Sequence, residues 1–383
     1  MNKQIVRILF TGGGSGGHIY PILAVAEEVR RLAAELGATV ELHYLGPQDR
    51  YSETLTAAGI TLHGLVGAKL RRYFSLQNFL DVPKFFWALL QALFKVYAIM
   101  PDEVFSKGGT GAWPVVLAAR FYRIPVMIHE SDATPGLTNL LSRPFALRVA
   151  VSFESARHYF RPERTLWVGN PIRSDLLVNA LSPDAAKEQL GFNKSEPLLL
   201  VLGGSQGSER LNDFIIDNLS DILPITQVFH QVGYENLATV ERTTKALLMN
   251  LPIETEAKHP YQVVPFFEDA VSYRNALSAA DLVLARSGSG TLTEIAAFGK
   301  PAILVPMPDE FSNGHQRVNA YEFTKTGGGV VMEESNLMPR FFLKHLKDIL
   351  TNPETIARMA QASASFFRPN AARAIAEELL RIA

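Results

Sequence analysis

Apolar residues along this chain come in two rhythms. Short, nearly unbroken apolar runs read as buried strands, and longer stretches with apolar residues three and four apart read as helices. In the first half the runs Ile5–Thr11, Val40–Leu45, Glu103–Ser106, Pro125–His129, Val149–Ser152 and Thr165–Val168 predict strands, and helical spacing covers Ile19–Leu36 and Pro114–Tyr122. The second half repeats the style with strands at Leu198–Leu202, Gln227–Gln231, Gln262–Val264, Leu282–Ala285 and Ala302–Val305, and a terminal helix at Ala371–Ile382. Strands alternating with helices predict an α/β protein with doubly wound parallel sheets. Residues 1–172 and 173–365 are expected to form two such domains, with the segment from about 366 to 383 returning to the first.

Two of the strands run straight into glycine. Arg7-Ile8-Leu9-Phe10 leads into Thr11-Gly12-Gly13-Gly14-Ser15-Gly16-Gly17-His18, and Leu198–Leu202 leads into Gly203-Gly204-Ser205-Gln206-Gly207. A strand, a glycine loop and a helix in that order make an anion-binding corner. The glycines let backbone approach a phosphate, and the helix N-terminus offers free N–H groups and partial positive charge. One corner in each half predicts two similar domains with ligand beyond the carboxyl ends of their strands, in a shared cleft.

Composition narrows the class without naming a chemistry. The 383 residues exceed one typical core and suit two domains. A hydrophobic content of 47% with 20% charged residues fits an ordered globular chain. A net charge of -1 gives no global reason to expect nucleic acid. There is no cysteine, so disulfides, thiolate metal sites and cysteine nucleophiles are excluded. The run Ile5–Phe10 is broken by Arg7 and ends in glycines, so it does not read as a secretory signal, and no stretch reads as the ~20 apolar residues of a bilayer span.

Candidate chemistry clusters in four places. The Thr11–His18 loop lacks both the dinucleotide fingerprint and a Walker lysine, which leaves a phosphate or sugar-diphosphate loop. His18 opens the following helix and suits general base work, or else caps and packs under the loop. The strand Leu282–Ala285 runs into Arg286-Ser287-Gly288-Ser289-Gly290-Thr291-Leu292-Thr293-Glu294, where hydroxyls and N–H groups suit a diphosphate and Glu294 a ribose diol, or else the segment is a helix-capping box. His315, Gln316 and Asn319 suit sugar hydroxyls. Finally, Lys69, Arg71, Arg72, Lys84 and Lys95 stand among Phe74, Phe79, Phe85, Phe86, Trp87, Phe94 and Tyr97, with Pro83 placed to open a helix and Pro101 to follow its end. Such a surface suits anionic lipid, and the competing reading is a core helix.

Together these segments resemble the MurG family of peptidoglycan glycosyltransferases over nearly the whole chain. The resemblance rests on Gly12–His18, on His129-Glu130-Ser131-Asp132-Ala133-Thr134-Pro135-Gly136-Leu137-Thr138-Asn139, on Gly169-Asn170-Pro171-Ile172-Arg173, on Gly203–Ser208, on Arg286–Glu294, and on His315-Gln316 with Asn319. It implies a GT-B fold and inverting transfer of N-acetylglucosamine from UDP-GlcNAc to the C4 hydroxyl of the muramyl sugar of lipid I. It implies a first domain for acceptor and membrane and a second for the donor. Phe267 then meets the uracil through its backbone, and Glu294 binds the ribose. Ser205 with Ser289, Gly290, Thr291, Leu292 and Thr293 holds the diphosphate, aided by Arg173, and Arg286 counts among the donor-binding residues. His315, Gln316 and Asn319 lie near the sugar, while Ser15, Gly16, Gly17 and Asp132 reach the donor from the first domain. His18 leads as base, with Glu130 and Asp132 as rivals.

No metal site is indicated and no cofactor is obligatory, a divalent cation being at most an aid. The implied setting is the cytoplasmic face of the bacterial cell membrane, held peripherally, beside other cell-wall synthesis and division proteins. The chain departs from the family at Gly108-Gly109-Thr110-Gly111-Ala112-Trp113-Pro114, where a Tyr and a Ser are replaced and Trp113 is new. That loop is implied to face the lipid diphosphate, and Trp113 is also a candidate for the membrane patch. Two competing readings stay open: a related enzyme with another lipid acceptor or a UDP-sugar epimerase, and a non-catalytic UDP-sugar-binding membrane partner.

Overall fold

β1 (Ile5–Thr11), β2 (Thr39–Gly46), β3 (Thr61–Gly64), β4 (Glu103–Ser106), β5 (Val126–Glu130), β6 (Arg148–Val151) and β7 (Thr165–Trp167) form one sheet in the order β3-β2-β1-β4-β5-β6-β7. β8 (Leu198–Leu202), β9 (Gln227–Gln231), β10 (Tyr261–Val264), β11 (Leu282–Ala285), β12 (Ala302–Leu304) and β13 (Gly329–Val331) form a second, in the order β10-β9-β8-β11-β12-β13. The structure is a computed structural model that describes residues 5–48, 50–67, 77–109, 111–204, 206–249 and 260–383, with backbone alone at 77–81. The candidates Lys69, Arg71, Arg72, Thr110 and Ser205, and the side chain of Phe79, lie outside the described residues.

Every strand pair is parallel. The central strands are apolar on both faces because helices cover both: β8 reads LLLVL and is buried throughout. β3 and β13 are absent from the sequence expectation. Both are short edge strands: β3 mixes polar residues into Thr-Leu-His-Gly, and β13 is only the three residues Gly-Val-Val after a run of glycines, too short to stand out.

The chain divides into two units, residues 1–173 with 368–383, and residues 174–367. The first core joins Val6, Ile8 and Phe10 of β1 to Ile22, Val25 and Val29 of the helix Gly16–Glu35, and to Ile375, Leu379 and Leu380 of the last helix, Ala371–Ile382. Gly169 turns the chain at φ 91°, and a Cβ there would stand 2.5 Å from Cβ of Arg368. The Arg368 guanidinium lies 3.9 Å over the Trp167 ring. The second core is separate and centres on Leu199, Val201, Leu282, Leu284 and Phe342.

Two expectations about the basic, aromatic stretch need correction. The helix there runs Gln77–Ile99, so Pro83 lies inside it and does not open it. One lost N–H bond is tolerated because Ala88, Ala92, Val96 and Ile99 form a buried stripe at helical spacing. Within the helix, Val82–Ile99 has a mean hydropathy of 1.3, long and apolar enough by length and composition to cross a bilayer, against the expectation that no stretch is. Its polar interruptions serve docking: the Lys95 ammonium donates to the Gly64 carbonyl, and Gln91 Oε1 accepts from the Val66 N–H at 3.2 Å. The opposite face exposes Phe86, Trp87, Leu90, Phe94 and Tyr97. Trp113 is half-buried on Phe145, ring centroids 5.8 Å apart.

Candidate active site

In sheets of this order the connections reverse direction between β1 and β4, and again between β8 and β11. The loops leaving the carboxyl ends of those strands diverge and open a crevice. In the first unit these are the loops after Thr11 and after Ser106. In the second they follow Leu202 and Ala285.

The first unit clamps an imidazole between two glycine loops. Nδ1 of His18 lies 2.7 Å from Oγ of Ser15, the N-cap residue of Gly16–Glu35, whose hydroxyl makes no cap bond. A Cβ on Gly13 would stand 3.1 Å from Nδ1, and one on Gly109 would stand 2.9 Å from Nε2. Gly109 also needs φ 80°, so glycine is required there twice over. Burial, and then the nearby Lys107 ammonium, push the His18 pKa down to about 4. The ring is therefore neutral near pH 7, as a general base requires.

Beneath it lies a buried polar network. Lys107, 3% exposed, places Nζ 2.6 Å from Nδ1 of His129 and also donates to Ser131 Oγ. The lysine has only protons to give, so Nδ1 accepts, and the Nε2–H of His129 donates to the Gly169 carbonyl at 3.1 Å. Burial lowers Lys107 to about 8, against the pull of Glu130 and Asp132. Glu130 is raised to about 7 by burial and by Asp132. Its oxygens accept from the N–H groups of Asp132 (2.9 Å) and Gly136 (3.0 Å) and from Asn139 Nδ2 (2.9 Å). Those three bonds fold the loop 131–139 around the carboxyl group. Asn139 also limits Gly108, where a Cβ would stand 2.8 Å from Oδ1 at φ 75°. Asp132 is half-buried, and the Arg173 guanidinium lies 4.7 Å over the Tyr20 ring.

The second unit presents a helix start without a side-chain cap. The helix Ser289–Ala297 has Gly288 at its N-cap, which offers no capping side chain, so the capping-box reading does not hold. Cβ atoms added to Gly204, Gly288 or Gly290 would meet nothing within 4 Å. Gly288 has an ordinary φ of -64°, and Gly290 lies in the helix. Neither packing nor backbone conformation demands glycine at these two positions, whereas close approach of a ligand does. Thr293 turns its hydroxyl back to the Ser289 carbonyl at 2.8 Å, and Leu292 is buried. Glu294 Oε2 accepts from the Tyr273 hydroxyl at 2.8 Å. Phe267, 8% exposed, stacks on Tyr273.

Nearby, Gln316 Oε1 accepts from the Met307 N–H at 3.0 Å, Ser287 donates to the Gln316 carbonyl at 2.8 Å, and Asn319 Nδ2 donates to the Ser287 carbonyl at 3.4 Å. His315 begins the helix His315–Thr324 after Gly314 at φ 77°. The Arg286 guanidinium is buried. It donates to the carbonyls of Val305 (3.2 Å) and Pro306 (3.1 Å) and to Ser208 Oγ (2.7 Å), and it pairs with Glu334. Arg286 thus fastens three loops around the site, with its polar contacts turned into the protein.

Comparison with known proteins agrees with this geometry. Residues 8–151 match the N-terminal domain of glycosyltransferase family 28, and residues 198–375 match its C-terminal domain. The chain belongs to glycosyltransferase family 28. A relative in Treponema denticola, named UDP-N-acetylglucosamine--N-acetylmuramyl-(pentapeptide) pyrophosphoryl-undecaprenol N-acetylglucosamine transferase, is 34% identical over 97% of this chain and 96% of its own. A relative of the same name in Legionella pneumophila strain Lens is 36% identical over 93% and 92%. Among solved structures, MurG of Acinetobacter baumannii aligns with a TM-score of 0.73 at 25% identity, over 98% of this chain and 99% of that one. The fold is GT-B. A UDP-GlcNAc 2-epimerase from Neisseria meningitidis shares that fold at a TM-score of 0.67 and 14% identity, over 98% of this chain and all of its own.

The family 28 site contains residues that its sequence motifs do not advertise. Lys107 was legible in principle, since it stands between a strand and a double glycine. Asn139 and Ser208 lie inside the motif segments without any sign of their duties. Tyr273 and Glu334 reach Glu294 and Arg286 from elsewhere in the sequence, and no local pattern marks them.

Proposed function

We propose that this family 28 glycosyltransferase moves N-acetylglucosamine from UDP-GlcNAc to the C4 hydroxyl of the N-acetylmuramyl sugar of lipid I, giving lipid II and UDP. The observation that carries the donor half is the uncapped helix start at Ser289, with Gly288 and Gly290 open to space. The acceptor half rests on the name shared by relatives 34–36% identical over most of the chain.

Each residue then has a physical task. The N–H groups of Ser289, Gly290 and Thr291 face the diphosphate and stabilise charge as UDP departs, aided by the Arg173 cation. Glu294 accepts the ribose hydroxyls, and the Phe267 backbone meets the uracil. His315, Gln316 and Asn319 line the sugar end. Ser15, Gly16, Gly17 and Asp132 contribute from the first unit, where Gly17 also faces open space. The C4 oxygen attacks the anomeric carbon as the bond to the diphosphate breaks, and His18 takes the C4 proton. His18 is favoured over Glu130 because the oxygens of Glu130 already accept three bonds from its own loop and side-chain neighbours. Asp132 is half-buried and stays third.

The exposed aromatic stripe Phe86, Trp87, Leu90, Phe94 and Tyr97 supports peripheral attachment at the cytoplasmic face of the membrane, where an undecaprenyl acceptor resides. The deciding experiment is transfer of labelled N-acetylglucosamine from UDP-GlcNAc to a lipid I analogue by purified protein, with His18→Ala alongside. Transfer by the wild type and near-loss in the variant is the expected result. Donor binding without transfer would send the search to another acceptor.

A further inference from the structure

The tie between Tyr273 and Glu294 joins two helices of the second unit that nothing else in the motif pattern connects. Tyr273 lies on Ala270–Ala279 and Glu294 on Ser289–Ala297, and the phenolic hydroxyl donates to Oε2 at 2.8 Å. The tyrosine is itself braced. Its ring lies 5.4 Å from that of Phe267 at 31°, and Phe267 meets Phe229 of β9 edge-on at 5.3 Å. Its helix is capped by Asp269, which accepts from the Ser272 N–H at 2.8 Å and from the Ser272 hydroxyl at 2.7 Å. A capped helix and a stacked ring together fix where the hydroxyl points.

We propose that Tyr273 is a specificity-determining positioning residue: its hydroxyl orients the Glu294 carboxylate for a ribose diol, so that the second unit separates ribonucleoside from 2′-deoxyribonucleoside diphosphates. The inference rests on the donor reading above, in which Glu294 meets the ribose. A glutamate has several rotatable bonds, and immobilising it on ligand binding costs entropy. A hydroxyl already holding one oxygen selects the carboxylate plane beforehand, so that less of this cost falls on binding. The bond does not exhaust the group, because each carboxylate oxygen has two lone-pair sites. A 2′-deoxy ligand offers one hydroxyl and gains less from a pre-set bidentate acceptor. The orientation of Glu294 therefore appears as discrimination between ligands as well as affinity.

The test is calorimetric binding of UDP and of 2′-deoxy-UDP to the full chain, to Tyr273→Phe, and to Glu294→Ala. Tyr273→Phe keeps the ring and its stack on Phe267 and removes the hydroxyl alone. The wild type is expected to prefer UDP. In Tyr273→Phe the expected change is a loss of roughly five- to tenfold in UDP affinity with little change for 2′-deoxy-UDP, so that the preference collapses. Equal weakening of both ligands, or an unchanged ratio, overturns the proposal and leaves Tyr273 as a helix-to-helix tie. A Glu294→Ala protein that keeps the wild-type preference overturns the ribose role of Glu294, and the proposal with it. That outcome is read from Glu294→Ala and so is distinguishable from failure of Tyr273 alone. Thermal unfolding of all three proteins confirms that the comparison is among folded chains.

Discussion

Lys107 and His18 flank the same glycine. A Cβ on Gly12 would stand 3.4 Å from Cβ of Lys107 and 3.5 Å from Cβ of His18. The charge on buried Lys107 therefore disfavours the protonated form of the His18 ring across a glycine loop.

A pH profile tests this coupling. A positive neighbour disfavours the protonated ring, and with burial it holds His18 at about 4. Activity that needs neutral His18 should rise through about pH 4 and be flat to neutrality. Lys107→Met removes the charge but leaves the burial, so its acidic limb should move upward, toward but short of the ordinary histidine value near 6.5. The measurement is kcat/KM between about pH 4 and pH 8. A limb that does not move would show that Lys107 acts only through His129 and Ser131.

His18→Ala should lower turnover by roughly 10²–10⁴-fold while leaving UDP-GlcNAc affinity within a few-fold of wild type. Single-turnover rates and calorimetry separate the two quantities. A parallel loss of both would make His18 a binding or loop-shaping residue.

Gly290→Ala offers a test in which stability and function move in opposite directions. The position is helical with open space around it, so alanine should stabilise the fold by about 0.5–1 kcal/mol. The same methyl stands where a diphosphate would approach the backbone, so donor affinity should fall by an order of magnitude or more. A raised melting temperature with unchanged donor affinity would remove the diphosphate from this helix start.

Glu103 on β4 is fully buried, and neither carboxyl oxygen has a hydrogen-bond partner among the described residues. Burial, and then Glu378, push its pKa up to about 9, with Arg381 opposing. The folded protein thus keeps a proton that the unfolded chain releases near 4.5. The unfolded state binds fewer protons in that interval, so this group's contribution to stability falls as pH rises from about 4.5 through 9. Glu103→Gln should flatten the decline and be roughly 1–3 kcal/mol more stable near pH 8. Urea midpoints at a series of pH values give the slopes, and equal slopes would mean that Glu103 finds a partner in solution.

Phe86→Glu with Phe94→Glu should reduce co-sedimentation with anionic vesicles and leave transfer to a short-chain, soluble acceptor unchanged. Both side chains are largely exposed, Phe86 touching Phe85 edge-on, so the cost to the fold is small. Undiminished co-sedimentation would place attachment elsewhere, with Lys69, Arg71 and Arg72 next to be changed to glutamate.

The strands that build the two sheets were legible because parallel strands buried on both faces write themselves as apolar runs. β1, β4, β8, β9 and β11 carry the bounds that the runs suggest. β3 and β13 were not, since β3 is of mixed composition and β13 is three residues behind a glycine run, and both look like loops. The glycine corners were legible because few residue types can do their work. What surrounds them was not. Lys107 with His129, Tyr273 with Glu294, and Arg286 with Glu334 are pairings made by topology, and a linear pattern has no term for a partner on another element. The capping-box reading of Glu294 failed because the helix starts earlier than the pattern suggests: its N-cap is Gly288, which has no side chain, so N3 is Thr291 and Glu294 lies a turn further in, where it meets Tyr273.

The last helix, Ala371–Ile382, supplies Ile375, Leu379 and Leu380 to a core whose other members begin at Val6. The first unit is therefore made on both sides of the second, and its core is not complete until residues 375–380 have been synthesised. Throughout synthesis of residues 174–367 the nascent amino-terminal half waits with the ground beneath Ile22, Val25 and Val29 uncovered. Its last strand, β7, meanwhile ends at Trp167, two residues before Gly169, the corner to which Arg368 must return. The unit begun earlier is thus completed after the one that interrupts it, and a stop codon at Ala371 would injure the core of the first unit while leaving that of the second whole.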